Sequence, residues 1–252
     1  MCNTENAYNT LPLKLCMITE LSLVFDINNI IKTILYECSI GPDVQKCIMY
    51  LHQIFVDKDV MHDTLKYFAS FLDDRGNKDK IFGVFVSKRC DAKRTMEKLI
   101  RITFGKEFKS IPYYAKSPYL SYGLSKNTKI VRTEEFHNFK DINPTVIKEL
   151  TSDDDIWIRE YYENGQYIKA KFKLIGSCYD VSMFNECDED LKKRIKIIPL
   201  LSCDDECHIL GRFLIDDCDF WERVGDMAVA FRWILQSYLR IYEAEGLKSH
   251  GI

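Results

Sequence analysis

The chain has 252 residues, of which 46% are hydrophobic and 29% charged, and its formal net charge is -3. This composition is typical of a folded globular protein with one large domain, or one domain and a helical extension. The charge excludes a general basic field for nucleic acid, so any such contact must come from a local patch. Because Glu20 and Asp26 interrupt the most apolar stretch, we expect no membrane span, and the first six residues lack the pattern of a signal peptide.

The ten cysteines are spread irregularly along the chain. Together with the missing secretion signal, this spacing favours reduced thiols in an intracellular, reducing compartment. Cys203, Cys207 and His208 form the only cluster. A zinc site normally needs a second ligand pair, and none is evident, so we interpret these cysteines as buried or incidental.

Residues 1–79 have the hydrophobic pattern of a helical region. Apolar residues recur at helical spacing over 43–56 and over 61–72, with Asp43 as an expected N-cap of the first helix. Gly76 then provides a stop signal. We therefore assign residues 1–79 to an N-terminal helical region and residues 80–252 to a separate domain.

The second region opens with a strand, a loop and a helix. Residues 81–86 form a short apolar run, residues 87–92 are polar, and residues 93–104 show helical periodicity. This order is the local frame of a phosphate-binding loop.

Further along the chain, Asn143 and Pro144 predict the cap and first residue of a helix, and Asn164-Gly165 predicts a hairpin turn. The patterns predict strands over 129–133, 156–162, 167–175 and 194–201, and helices over 143–150 and 219–245.

Several segments resemble those of superfamily 3 helicases, most of all the poxvirus-type primase-helicases of nucleocytoplasmic large DNA viruses. Residues 148–151, followed by Ile156 and Arg159, are similar to a K-x-L-T-G-G-D-x-I-x-x-R motif. Residues 62–72, 172–178 and 194–200 are similar to the helix before the first core strand, the sensor strand and the arginine-finger segment. The likeness spans roughly residues 60–247 and includes no primase segment.

This resemblance implies an α/β fold: a P-loop (AAA+-like) ATPase core with a central parallel sheet, an inserted β-hairpin and an N-terminal helical region. It also implies ATP and Mg²⁺ as ligands and a ring of homo- or hetero-oligomeric subunits with ATP bound between them.

The loop expected to hold phosphate departs from the family pattern. Lys93 falls on the lysine position, but Ser87 and Ala92 replace the glycines, and Arg94 replaces the hydroxyl residue that binds Mg²⁺. Shifting the register by one residue gives Thr95 the hydroxyl role and Arg94 the lysine role, but it places Lys88 and Lys93 at the glycine positions, which is worse. We therefore predict that ATP and Mg²⁺ binding is weak or lost, with Lys93 and Thr95 as the remaining cofactor-binding candidates.

The other catalytic positions are partly retained. The resemblance implies that Glu134 and Glu135 hold Mg²⁺ and polarise water, with Glu134 as the metal ligand. A solvated loop after an edge strand is the alternative. Tyr179 replaces the sensor Asn, whose compact amide a Tyr ring does not reproduce. Arg194 is a candidate arginine finger for a neighbouring subunit's nucleotide, or else an ordinary surface charge.

The predicted hairpin corresponds to the element that contacts single-stranded DNA in the family. Its arms offer the candidate DNA-binding residues Trp157, Arg159, Lys169 and Lys171. Alternation alone yields the same pattern in any half-exposed hairpin, so plain scaffold is the alternative. The basic residues of the 93–104 helix allow two interpretations as well, nonspecific phosphate binding or a solvated face.

The leading hypothesis is a helicase-like subunit in viral DNA replication with a degenerate, weak or inactive ATP site, placed in the host cytoplasm if the protein is viral. One alternative is an active ATP-dependent DNA helicase of superfamily 3 with an unorthodox loop. Another is a repurposed interaction protein that binds neither ATP nor DNA.

Overall fold

A computed structural model describes residues 41–55, 57–88, 90–111, 124–138, 141, 143–158, 164–201 and 223–247. Of Cys90, Asp91 and Glu134 it describes the backbone alone. The chain divides into two compact units, 1–42 and 43–252. Apart from Gly41 and Pro42, which begin the first helix, the described residues lie in the second unit.

Six α-helices and seven strands make up the part of this unit that the structure describes. The helices are α1 (Gly41–Ile54), α2 (Lys58–Ala69), α3 (Cys90–Phe104), α4 (Pro144–Leu150), α5 (Glu189–Arg194) and α6 (Ala228–Glu245). The strands are β1 (Phe82–Val86), β2 (Phe108–Ile111), β3 (Ile130–Phe136), β4 (Asp155–Ile158), β5 (Gln166–Lys169), β6 (Lys173–Cys178) and β7 (Ile195–Pro199).

Five strands form a parallel sheet in the order β2-β3-β6-β1-β7. Strands β4 and β5 pair with each other as an antiparallel hairpin inserted between β3 and β6 in the chain. The predicted α/β fold with a central parallel sheet and an inserted hairpin is confirmed.

Helices and the hairpin cover the two faces of the sheet. Phe85 of β1 lies in an aromatic cluster with Phe68 of α2, which also contacts Phe231 of α6. On the other face, Phe82 and Val84 belong to a buried cluster with residues of α4, α5 and the hairpin. This alternation of inward side chains is what a strand buried on both faces requires.

Tyr67 on α2 joins two neighbouring strands. Its hydroxyl donates to the carbonyl of Leu174 at 2.7 Å and accepts from the amide of Gly83 at 3.0 Å. A Cβ at Gly83 would stand 2.3 Å from the Tyr67 ring. Only glycine therefore allows this ring to lie against β1.

The start of α4 agrees with its sequence prediction, whereas the other helices begin at residues other than those predicted. The Asn143 side chain accepts from the amide of Val146, and Pro144 opens α4, as predicted. The first helix differs, because it begins at Gly41, which places Asp43 in its first turn and not at its cap. Asp57 caps α2 by accepting from the amide of Val60.

Several strand boundaries differ from the predictions. Strand β3 runs to Phe136, so Glu134 and Glu135 lie inside the strand and not after it. The predicted 167–175 arm is two strands, because the pairing with β4 ends at Lys169 and the chain joins the central sheet at Lys173. Arg194 is the last residue of α5, not the first of β7. The α6 helix is preceded by a 3₁₀ turn, Val224–Met227.

The N-terminal region is described only from residue 41 onward. Residues 43–79, which the sequence assigns to the helical region, fall in the same compact unit as the sheet. Within the described ranges, none of the helices has the length and apolarity to cross a membrane.

Candidate nucleotide site

The candidate site lies where β1, β3 and β6 end. Their carboxyl termini meet at one edge of the parallel sheet, and α3 begins four residues after β1. In open parallel sheets this edge is where ligands bind, and the free N–H groups of a helix N-terminus favour anions. The location therefore suits a phosphate-binding site.

Lys93, on the first turns of α3, is buried at this edge with 2% of its surface exposed. Its ammonium donates to the Ser87 carbonyl at 2.8 Å, to Glu135 Oε1 at 2.5 Å and to the Cys178 carbonyl at 3.2 Å. An ammonium has three N–H donors. These three acceptors therefore use the whole donor capacity of Lys93.

Tyr179 covers the same ammonium from the outside. The Lys93 Nζ lies 3.8 Å from the centroid of the Tyr179 ring, a cation–π contact. That ring also stacks on His137, with centroids 5.8 Å apart and an angle of 25° between the planes. The residue at the sensor position thus closes the site over the lysine.

Glu135 reaches Lys93 because β3 is irregular. Arg132 pairs with Ile175 and Glu135 with Ser177, so β3 contains one more residue than β6 between these pairs. Such a bulge turns a side chain toward a site that a regular strand would not reach. The Glu135 side chain is 22% exposed, so its carboxylate keeps contact with solvent.

A second ion pair ties α3 to β3 beside the first one. Arg132 donates from Nε and Nη2 to Glu97 Oε2, both at 2.9 Å. Burial raises the pKa of the Glu97 carboxyl, and the Arg132 charge opposes that shift. At the end of β6, burial raises the pKa of the Cys178 thiol to about 12, against the effect of the Lys93 charge. Cys178 is therefore a neutral packing residue.

The loop between β1 and α3 does not have the backbone of a glycine-rich loop. Ser87 is 4% exposed, and its hydroxyl has no hydrogen-bond partner among the described residues. Among described non-glycine residues, Lys80 alone has a positive φ, so Ser87, Lys88 and Ala92 have ordinary backbone angles. The described residues of the loop are not strained, and their backbone differs from one that needs glycines at the corresponding positions.

The described residues do not fit a bound Mg²⁺ ion. The position of the metal-binding hydroxyl is held by Arg94, which has donors and no acceptor. The Glu135 carboxylate is already bonded to Lys93. In the part of the chain that the structure describes, no three His, Cys, Asp or Glu side chains are grouped to hold a metal. Cys203, Cys207 and His208 lie outside it, as does the Glu134 side chain.

The two alternative alignments of the loop with the phosphate-binding motif differ in the burial of their candidate residues. Lys93 points to the strand ends, whereas Arg94 is exposed and Thr95 is 8% exposed within the packed side of α3. The structure thus brings Lys93 and Glu135 together, with Tyr179 and His137 above them. The sequence singled out the first three of these residues. His137 was missed, since nothing in its local pattern marks a residue that stacks on Tyr179.

Arg194 lies just before β7 begins, at the amino-terminal ends of the parallel strands, whereas Lys93 lies at their carboxyl-terminal ends. Its Nη1 donates to the Lys148 carbonyl and the Thr151 hydroxyl, each at 3.2 Å, and Nη2 lies 3.4 Å from Asp190 Oδ2. It therefore caps the C-terminus of α4 within its own chain. It does not reach its own Lys93.

The hairpin has one buried and one exposed face. Ile156 and Ile158 are buried, whereas Trp157 and Tyr167 face each other across the strands and are 38% and 73% exposed. Lys169 lies 3.5 Å from Asp153, and Lys171 is exposed. Arg159 is outside the described residues.

Comparisons with known proteins give two results for the sequence. No family model matches the chain. It is 23% identical over 216 residues to "Putative helicase L207/L206" of Acanthamoeba polyphaga mimivirus and 25% identical over 219 residues to "Putative helicase 184R" of Invertebrate iridescent virus 6. These alignments cover 79% and 77% of this chain, but the chain spans only 22% of the length of either relative. The sequence is thus helicase-like.

The fold is also found among solved structures. Two apo structures of the NrS-1 C-terminal region match with TM-scores of 0.59 and 0.60 at 15% and 16% identity. The matches cover 79% and 82% of this chain and 47% and 52% of those chains. At this identity the likeness shows the fold alone.

Proposed function

We propose that this protein is a helicase-like subunit in viral DNA replication whose own nucleotide site does not hydrolyse ATP. The observation that carries the proposal is the state of Lys93. A phosphate-binding lysine works by offering its charge and its donors to phosphate oxygens. Here all three donors are used by the protein, and a Tyr ring covers the cation.

Opening this site costs more than moving one side chain. A phosphate that took Lys93 would leave the Glu135 carboxylate without its partner and close to a second negative group. Like charges at short range disfavour each other. The missing Mg²⁺ ligand at Arg94 removes the cation that normally neutralises the transferred phosphate.

Within a ring, such a subunit would still contribute residues to a neighbour's nucleotide site and to DNA binding. Arg194 stands at the edge of the sheet away from its own Lys93, so any nucleotide it reaches belongs to another chain. The exposed pair Trp157 and Tyr167 supplies two aromatic faces on which unpaired bases can stack. We propose a DNA-holding, neighbour-assisting role in place of catalysis.

The first test is turnover with Mg²⁺ present. Phosphate release by the purified protein, with and without single-stranded DNA, should stay at the level of Lys93→Met, because Lys93 is not available to ATP. Circular dichroism checks that the variant is folded. Robust ATP hydrolysis that disappears in a folded Lys93→Met variant would refute the proposal and favour the active-helicase alternative.

A further inference from the structure

We infer that copies of this chain bind each other head to tail, through the basic outer face of α3 in one copy and the acidic segment 180–191 in the next. This inference rests on the proposed function, which makes the protein a subunit, and it names the two surfaces by which subunits join. It concerns association alone and includes no chemical step.

The outer face of α3 is basic. Arg94 and Arg101 are exposed and Lys98 is half-buried, and at positions i, i+4 and i+7 these side chains line one side of the helix over about 10 Å. No described residue forms an ion pair or a hydrogen bond with Arg94 or Arg101. Glu97, on the same helix, is bonded to Arg132. The two arginines are therefore without a counter-charge among the described residues.

The segment 180–191 is acidic, since it contains five Asp or Glu residues and no basic residue. All five acids are exposed. Asp188 and Asp190 share one ammonium, that of Lys148, with N–O distances of 2.9 and 3.3 Å. Glu186 has no partner among the described residues. The segment therefore keeps an excess of negative charge at the surface.

These two charged surfaces lie on opposite faces of the sheet. Phe104 of α3 packs against Phe71, in the aromatic cluster on the Phe85 face. Leu191 of α5 is buried on the other face, in the cluster that contains Phe82. Helix α3 also leads toward the edge strand β2, and α5 leads to the edge strand β7. One copy therefore cannot join its own two surfaces, whereas a second copy can.

The charges favour a head-to-tail contact over a symmetric one. A symmetric contact through α3 would place two basic faces against each other, and like charges repel. A head-to-tail contact places a basic face against an acidic segment at every junction. Nucleic acid would match the basic face alone, and the net charge of -3 opposes its approach. Because α5 ends at Arg194, the head-to-tail contact also carries that arginine toward the α3 helix of the neighbour.

The experiment is sedimentation equilibrium of the whole protein, without nucleotide or DNA. Wild type should self-associate at about 0.1 M salt and about tenfold more weakly at about 1 M salt, because salt screens exposed charges. Arg94→Glu combined with Arg101→Glu should weaken association about 100-fold, since it sets like charges against each other. Lys58→Glu combined with Arg240→Glu is the matched control. It changes the net charge equally, at exposed residues of α2 and α6, and should associate like wild type.

Reversal of the acidic side tests the direction of the contact. Glu186→Lys combined with Glu189→Lys should also lose self-association. An equal mixture of this variant and the α3 variant should form one-to-one complexes and nothing larger, because one intact basic face then meets one intact acidic segment. Such complexes also show that both variants are folded.

Four outcomes overturn the inference. Wild type stays a single chain up to its solubility limit, the control variant loses association as well, or the mixture stays as single chains. The fourth is an α3 variant that associates like wild type but loses binding of labelled DNA in fluorescence anisotropy, which would assign the basic face to nucleic acid. Because no nucleotide is present, these failures are distinct from that of the proposed function, which fails on turnover with Mg²⁺.

Discussion

The two members of the Lys93–Glu135 ion pair differ in their access to water. The ammonium is 2% exposed and the carboxylate 22%. An ion left without its partner costs much when it stays buried and little when water reaches it. Removal of Glu135 should therefore destabilise the protein more than removal of Lys93.

We expect Glu135→Ala to destabilise the protein by about 3 kcal/mol, because it leaves the Lys93 charge buried. Lys93→Met should cost only about 1 kcal/mol, since the freed carboxylate can turn toward solvent while the methionine fills the same space. Urea unfolding monitored by circular dichroism gives both values. Equal costs, or the reverse order, would show that Lys93 is not held as a buried charge.

At the scale of elements, local signals predicted most helices and strands, but helix α5 and strand β2 were missed. Asn143 and Pro144 mark their helix by local chemistry, and the strand, loop and helix around Lys93 are likewise continuous in the sequence. Strand β2, Phe108–Ile111, was missed because four residues carry too little alternation to stand out. The split between β5 and β6 depends on which partner strand each pairs with, and that is not a local property.

For the candidate site, the sequence proposed residues but did not predict their contacts. Local pattern and family resemblance singled out Lys93, Glu135 and Tyr179. Their mutual contacts depend on the bulge in β3 and on the meeting of three strand ends that lie far apart in the chain. Neither spacing nor composition predicts that all three N–H donors of Lys93 are bonded within its own chain.

The hairpin is an element whose exposed face can be tested separately from the core. Tyr167→Ala should weaken binding of single-stranded DNA by about tenfold, since one stacked base contributes about 1–3 kcal/mol. Folding should be unaffected, because the Tyr167 side chain is 73% exposed. Fluorescence anisotropy with a labelled oligonucleotide measures the affinity.

Val229→Ala is the matched control for that test. Val229 is also an exposed apolar residue, at 66%, but it lies on α6, against the opposite face of the sheet. Changing Lys169 and Lys171 to alanine together should flatten the salt dependence, because phosphate contacts release counterions. Equal binding by wild type, Tyr167→Ala and the double lysine variant would make the hairpin plain scaffold and favour the interaction-protein alternative.

At the scale of the whole molecule, Arg194 and Lys93 lie at opposite ends of the parallel strands. Arg194 stands beside Ile195, which pairs with Phe82 at the start of β1, whereas Lys93 contacts Ser87 just beyond its end. The five residues of β1 separate them by about 16 Å. An arginine that acts on nucleotide must therefore act on a second chain, which predicts complementation between two defective variants.

A rebuilt variant makes this testable. Ser87→Gly and Ala92→Gly restore loop freedom, Arg94→Ser restores a hydroxyl for Mg²⁺, and Tyr179→Asn uncovers Lys93 and supplies the sensor amide. If the strand and helix form a true phosphate-binding frame, this variant should gain MgATP affinity and measurable turnover. Circular dichroism and calorimetry verify its folding and its binding before turnover is compared.

Adding Arg194→Ala to the rebuilt variant should abolish turnover but leave MgATP affinity unchanged, because the arginine belongs to a neighbour's site. Wild-type protein has an intact Arg194 but no competent site of its own. Mixing the two inactive proteins should therefore restore phosphate release, up to the point where wild-type subunits dilute the rebuilt ones. The control is the single Arg194→Ala variant of the natural chain, which should restore no phosphate release. Turnover by the rebuilt Arg194→Ala variant alone would exclude the arginine from catalysis and leave it as the cap of α4, where it bonds Lys148 and Thr151.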